Sequence, residues 1–134
     1  MNKLKGTIVG VQSSPEISMV EVDVSGDVFS AIVLENPASA TYLKIGSKVE
    51  IVFKETEVSI AKNLSGLISI RNRFEATIKR VEKHEILTTI VLVYKMGEIS
   101  SIISTKSVKR LDLKEGDQIE WLVKTNEVSL CPTI

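Results

Sequence analysis

The residues best equipped for chemistry lie mid-chain, in Ser65-Gly66-Leu67-Ile68-Ser69-Ile70-Arg71-Asn72-Arg73-Phe74. Ser69 offers a hydroxyl, Arg71 a charged fork of five donors, and the backbone N–H groups around Ile70 further donors, all at the edge of a strand. Further on, Ser104 and Ser107 bracket the start of a short segment with helical character. A helix start presents unsatisfied N–H groups that favour an oxyanion. Lys124 and Thr125 follow the penultimate strand and add a point charge and a hydroxyl. The set is donor-rich and suits a small tetrahedral dianion. Each member also has an ordinary role. Ser104 can cap a helix, Arg71 and Lys124 can be solvated or ion-paired surface charges, and Ser69 and Thr125 fit in or near strands. Only the combination points to a site.

Composition narrows the function further. The chain has 134 residues, 17 basic and 17 acidic side chains, and 43% hydrophobic residues. A formal charge of zero supplies no global positive field for a nucleic-acid backbone or an anionic membrane. The aromatics are Phe29, Tyr42, Phe53, Phe74, Tyr94 and Trp121, too few for a base-stacking surface. The basic stripe Lys106, Lys109, Arg110 and Lys114 is the one feature on the nucleic-acid side. Cys131, the single cysteine, excludes an internal disulfide and a Cys-rich zinc site, and suits a reducing compartment. His84 stands in the mixed-charge run Lys79–Glu85, which reads as a solvated turn. No Ser/His/Asp set, Gly-rich phosphate loop or metal-ligand spacing is visible, so no catalysis, cofactor or directly bound metal is expected. With neither signal peptide nor membrane span, the expectation is a soluble cytoplasmic globular protein, and with no DNA-binding or ATPase segment after Met1 a regulatory domain cut from a larger chain is not expected.

The elements that must position these donors come in two copies. Slid by 70 residues, the chain matches itself without gaps. Asn2 meets Asn72, Thr7-Ile8 meets Thr77-Ile78, Gly46 meets Gly116, Lys54 meets Lys124, and Glu57-Val58-Ser59 meets Glu127-Val128-Ser129. Two modules are expected, 1–62 and 69–134. In each, alternation as in Val20, Val22 and Val24 predicts strands with one buried face. A short helical segment (Pro37 to Leu43, or Ser104 to Leu111) and a Gly turn precede the next strand. Glu57–Ile60 and Glu127–Leu130 close the modules. The pattern predicts an all-β fold of two tandem OB-like, five-stranded Greek-key barrels, each with a short helix. Modules this small bury little core alone. The strand Ile90-Val91-Leu92-Val93-Tyr94 is apolar on both faces and needs a second surface, in the other module or in another subunit.

Three stretches carry a family resemblance. Ser69-Ile70-Arg71-Asn72 resembles the Ser-Ala-Arg-Asn start of Mop modules, the molybdate-binding form of the TOBE domain. Ile103–Gly116 resembles the family's Thr-x-x-Ser-Val…Leu-Lys-x-Gly stretch, and Val123-Lys124-Thr125 through Val128 its Ile-Lys-Ala/Ser…Val ending. With the repeat, nearly the whole chain is similar to the tandem, di-Mop (molbindin) proteins of the bacterial cytoplasm.

That resemblance implies binding of molybdate or tungstate between subunits of a homotrimer that imitates a hexamer of modules. Storage, buffering or homeostasis would be the role, and the metal would be held only through its oxygens. The oxyanion-binding roles fall on Ser69, Ile70 (through its backbone), Arg71, Asn72, Ser104, Ser107, Lys124 and Thr125, with Lys54 a weaker contributor. The sequence departs from the pattern in places. Ile70 stands for a small Ala, Met1-Asn2 leaves no room for a Ser and an Arg, Leu34 and Pro37 occupy the positions of Ser104 and Ser107, and Glu55 that of Thr125. The first module is therefore expected to be degenerate. The competing readings are a scaffold that has lost the anion and an OB-type nucleic-acid-binding module.

Overall fold

The computed structural model describes residues 1–133. Two five-stranded antiparallel sheets account for the all-β architecture. The strands are β1 (Asn2–Ser13), β2 (Ser18–Val24), β3 (Asp27–Val33), β4 (Lys48–Phe53), β5 (Ser59–Ala61), β6 (Asn72–Lys83), β7 (Leu87–Tyr94), β8 (Gly97–Ser104), β9 (Gln118–Val123) and β10 (Ser129–Pro132). The strand orders are β10-β4-β1-β2-β3 and β5-β9-β6-β7-β8.

The 12-residue strands β1 and β6 are the corners of these sheets. The first half of β1 pairs with β4 and the second half with β2, and β6 treats β9 and β7 the same way. A bulge lets one strand serve two directions, because the extra residue bends it and increases its twist. The bulges fall at equivalent places, between Ile8 and Gly10 and between Ile78 and Arg80. Gly46 and Gly116 lock each corner by donating to the Ile8 and Ile78 carbonyls at 2.8 Å. Both have φ near +90° (96° and 88°), a region that disfavours residues bearing a Cβ. The curl is completed where the edges meet: β10 touches β3 in one sheet and β5 touches β8 in the other.

The cores follow the period-2 pattern. Ile8, Val20, Val22, Phe29 and Ile51 fill one, and Ile78, Ile90, Leu92, Ile99 and Trp121 the other, all at or near zero exposure. Trp121 takes the place of Ile51 and stacks edge-on to Tyr94, with ring centroids 5.0 Å apart and planes at 81°. Of the strand expected to be apolar on both faces, Val91 is buried and Val93 exposed. Among the described residues no helix is long and apolar enough to cross a membrane.

Two expectations need correction. The first concerns boundaries. The modules 1–62 and 69–134 describe the repeat, whereas the compact units are 1–53 with 124–134, and 54–123. The closing segments have changed sheets: β10 pairs with β4, and β5 with β9. The second concerns the helices. The helix α1 (Thr105–Leu111) forms in the second copy, but Pro37–Leu43 makes only turns. Ser104 caps α1 at the end of β8, giving room for a helix before the buried Leu113. In the first copy the cap is Asn36, two positions later. Its Oδ1 accepts from the Ala38 and Ser39 amides at 2.9 and 3.1 Å. Six residues then remain before Leu43, against eight between Ser104 and its counterpart Leu113, and both leucines are buried. Tyr42 ends that stretch, donating to Glu35 at 2.9 Å. Burial, then the Glu35 carboxylate, pushes its phenol up to about 12.

Candidate oxyanion site

Ser69, Ile70 and Arg71 form the irregular lead-in to β6. Ser69 and Arg71 are exposed, whereas Asn72, the first strand residue, is fully buried opposite Val123. The lead-in therefore springs from a fixed point, the last rung of the β6–β9 ladder.

Ser104 and Ser107 are fixed from a different direction. The buried Thr105 between them donates its hydroxyl to the His84 carbonyl at 2.7 Å and contacts the Thr88 hydroxyl at 2.8 Å. This pins the start of α1 to the β6–β7 turn, so His84 serves through its backbone in a turn, as its sequence context implied. Ser104 Oγ accepts from the Ser107 amide at 3.1 Å and donates to Ser107 Oγ at 2.9 Å. The Ser104 proton is thus committed, while the Ser107 hydroxyl keeps its own hydrogen for an outside acceptor.

Lys54 and Lys124 are local duplicates. Each precedes a 3-10 turn (Glu55–Glu57 or Thr125–Glu127) with φ, ψ of −77°, 148° and −68°, 149°. Each carbonyl accepts from the amide three residues on at 3.0 Å, and both residues are exposed. They differ in their companions. Lys54 lies in the same compact unit as Ser69, Ile70, Arg71, Asn72, Ser104 and Ser107, while Lys124 and Thr125 belong to the other. The turn after Lys54 packs against β8, the strand that ends at Ser104. There Ser101 donates to the Val58 carbonyl at 2.7 Å. The turn after Lys124 packs against β3, which runs into Leu34. The lysine read from sequence as the weaker contributor is the one grouped with the second copy's hydroxyls.

Two cations beside the site had no assigned part. Arg73 donates to both Glu120 carboxylate oxygens, at 2.6 and 2.9 Å, and to the carbonyls of Leu64 at 2.9 Å and Gly66 at 3.3 Å. Lys62 donates to the Asp112 carbonyl at 2.7 Å and to Asp117 at 3.1 Å. The Arg73 guanidinium holds the Glu120 carboxyl below the usual range. Asp117 is lowered by the Lys114 amide first and by Lys62 second. The only sequence signal for Arg73 was its place in the motif, two residues past Arg71. Lys62 gave none. Among the described residues no group of three or more His, Cys, Asp or Glu could hold a metal ion.

A TOBE domain model matches residues 68–130. The molybdenum transport protein ModE of Herbaspirillum seropedicae is 26% identical over 130 residues, covering 95% of this chain and 48% of that protein. The chain thus spans about half the length of that curated relative. The cytoplasmic molybdate-binding protein ModG, crystallised with molybdate bound, superposes with a TM-score of 0.92. It is 29% identical, over 98% of this chain and 96% of ModG. A molybdate-binding protein from Sporomusa ovata is 42% identical over 44% of this chain and 88% of its own, with a TM-score of 0.43. The TOBE match to the second copy, the internal repeat and the full-length superposition on ModG converge: residues 68–130 match a TOBE domain, within a chain that resembles the tandem Mop-type fold of ModG over nearly its whole length.

Proposed function

We propose that this protein binds molybdate, or tungstate as a tetrahedral dianion of the same form, and performs no chemistry on it. It would serve in the cytoplasm as a store or buffer, assembled as a homotrimer whose paired modules stand in for a hexamer. The oxyanion would be held through its oxygens by Ser69, the Ile70 amide, Arg71, Asn72, Ser104, Ser107 and a lysine, Lys54 or Lys124, with Thr125 beside the latter. The observation that carries the reading is the grouping of the Ser69–Asn72 lead-in, Ser104, Ser107 and Lys54 in one compact unit of a fold that, in ModG, was crystallised with molybdate. A dianion leaving water needs several charge-assisted donors around it, and this set supplies an Arg fork, a Lys and hydroxyls.

A thermal-shift series with molybdate, tungstate, sulfate and phosphate tests the reading. A ligand at a hundred times its dissociation constant stabilises the native state by about 2.7 kcal/mol, so the melting point should rise by several degrees with molybdate. An unchanged melting point in all four would leave a Mop-fold scaffold.

A further inference from the structure

The segment 62–66 leaves β5 and reaches the Ser69–Asn72 lead-in with no regular structure of its own. It turns twice through the left-handed region, at Asn63 (φ 58°) and Gly66 (φ 91°). Such a segment has many alternatives in solution, and something must select one. Two side chains do so. Arg73 ties the Leu64 and Gly66 carbonyls to Glu120 on β9, while Lys62 ties the start of the segment to the Asp112 carbonyl at the end of α1 and to Asp117. All of these groups lie within the compact unit 54–123.

The geometry points to Arg73 and Lys62 as positioning residues of the proposed oxyanion site. They brace the 62–66 segment against β9 and the end of α1, so that the Ser69–Asn72 lead-in and the Ser104–Ser107 turn keep one relative placement. This inference rests on the functional reading above. Arg73 is not itself a ligand. Four of its five N–H donors are already used within the protein, and Glu120 offsets its charge. The brace belongs to the compact unit 54–123. The equivalent positions in the other compact unit are Lys3 for Arg73, Pro132 for Lys62 and Ser47 for Asp117, and proline has no side-chain amine to donate.

The test uses the full chain with Arg73→Lys, Arg73→Gln and Lys62→Met, read by amide hydrogen exchange without ligand and by molybdate calorimetry. Outer partners of ligating groups typically carry about tenfold to a hundredfold in affinity. Arg73→Gln should speed exchange across 64–71, leave β7 and β8 protected, and weaken molybdate binding roughly tenfold. Arg73→Lys keeps the charge but not the fork, so it should resemble Arg73→Gln if bracing matters and the parent if only long-range attraction does. Lys62→Met should loosen the same segment. Unchanged exchange across 64–71 overturns the brace. Faster exchange with unchanged affinity, or Arg73→Lys behaving as the parent, overturns the positioning role alone. A parent protein that binds no molybdate overturns the functional reading, and this inference with it.

Discussion

Exchange of the closing segments makes one substitution pair decisive. Lys54 and Lys124 have the same backbone geometry and the same exposure, so intrinsic chemistry does not separate them. Their compact units do: Lys54 accompanies Ser104 and Ser107, whereas Lys124 accompanies Leu34 and Pro37. The expected outcome is that Lys54→Ala weakens molybdate binding more than Lys124→Ala. For an exposed amine the water-like dielectric applies, giving about 1 kcal/mol per unit charge at 4 Å and about 2 kcal/mol against a dianion. A hydrogen bond to a charged group is worth roughly 1.5–3 kcal/mol, so the two routes agree. About 2 kcal/mol is roughly a thirtyfold loss of affinity. Calorimetry on the parent and both variants, at low and at high salt, measures it. Salt should shrink the difference, because exposed charges are screened within about 10 Å at 0.1 M ionic strength. Loss of binding in Lys124→Ala with parent affinity in Lys54→Ala would refute the reasoning. The completing lysine would then follow the sequence repeat instead of the compact unit.

Arg71→Ala should cost about tenfold to a hundredfold in molybdate affinity, because it removes a charged donor of the proposed site. Equal affinity by calorimetry would place the anion elsewhere. Light scattering at micromolar concentration should give three chains per particle, and a clean monomer would remove the trimer from the reading. Acid should weaken the unit 54–123 through Glu120 and Asp117, both held below the usual carboxylate range by their partners. A depressed folded value means stability present above the ordinary value near pH 4 and lost as pH falls through the folded value. Glu120→Gln with Asp117→Asn should flatten the fall in urea stability between pH 6 and pH 3; an unaltered slope would contradict that account.

The sheets were legible because their information is local. Alternation at Val20, Val22 and Val24 predicts a one-sided strand, and all three are buried. The Gly46 and Gly116 turns announce themselves by residue type, and the offset of 70 pairs each element with its copy. The first copy forms no helix where its composition suggests one, because the capping position carries the decision. Asn36 starts the turn two residues after the position matching Ser104, and a segment shortened by those two residues does not repay helix nucleation.

The exchange of closing segments was illegible for a physical reason. Glu57-Val58-Ser59 and Glu127-Val128-Ser129 are identical, and each leads into a short strand with a half-buried Ile60 or Leu130. The strands that receive them, β9 and β4, present Trp121 and Ile51 at the matching rung. Edge pairing is made by backbone groups, so nothing in residue type tells β5 from β10 as a partner for either sheet. Chain length and connectivity decide instead, and these are not written in any motif. The donors at strand starts and caps stay where the repeat places them. Lys54 and Lys124 sit where the chain crosses from one compact unit to the other, so the unit that holds each is not the one its repeat position suggests. A departure such as Glu55 opposite Thr125 therefore does not measure erosion of the first copy's own site. Under the proposed site it bears on what that copy lends to the unit 54–123, where Arg71, Ser69, Ser104 and Ser107 would already supply donors.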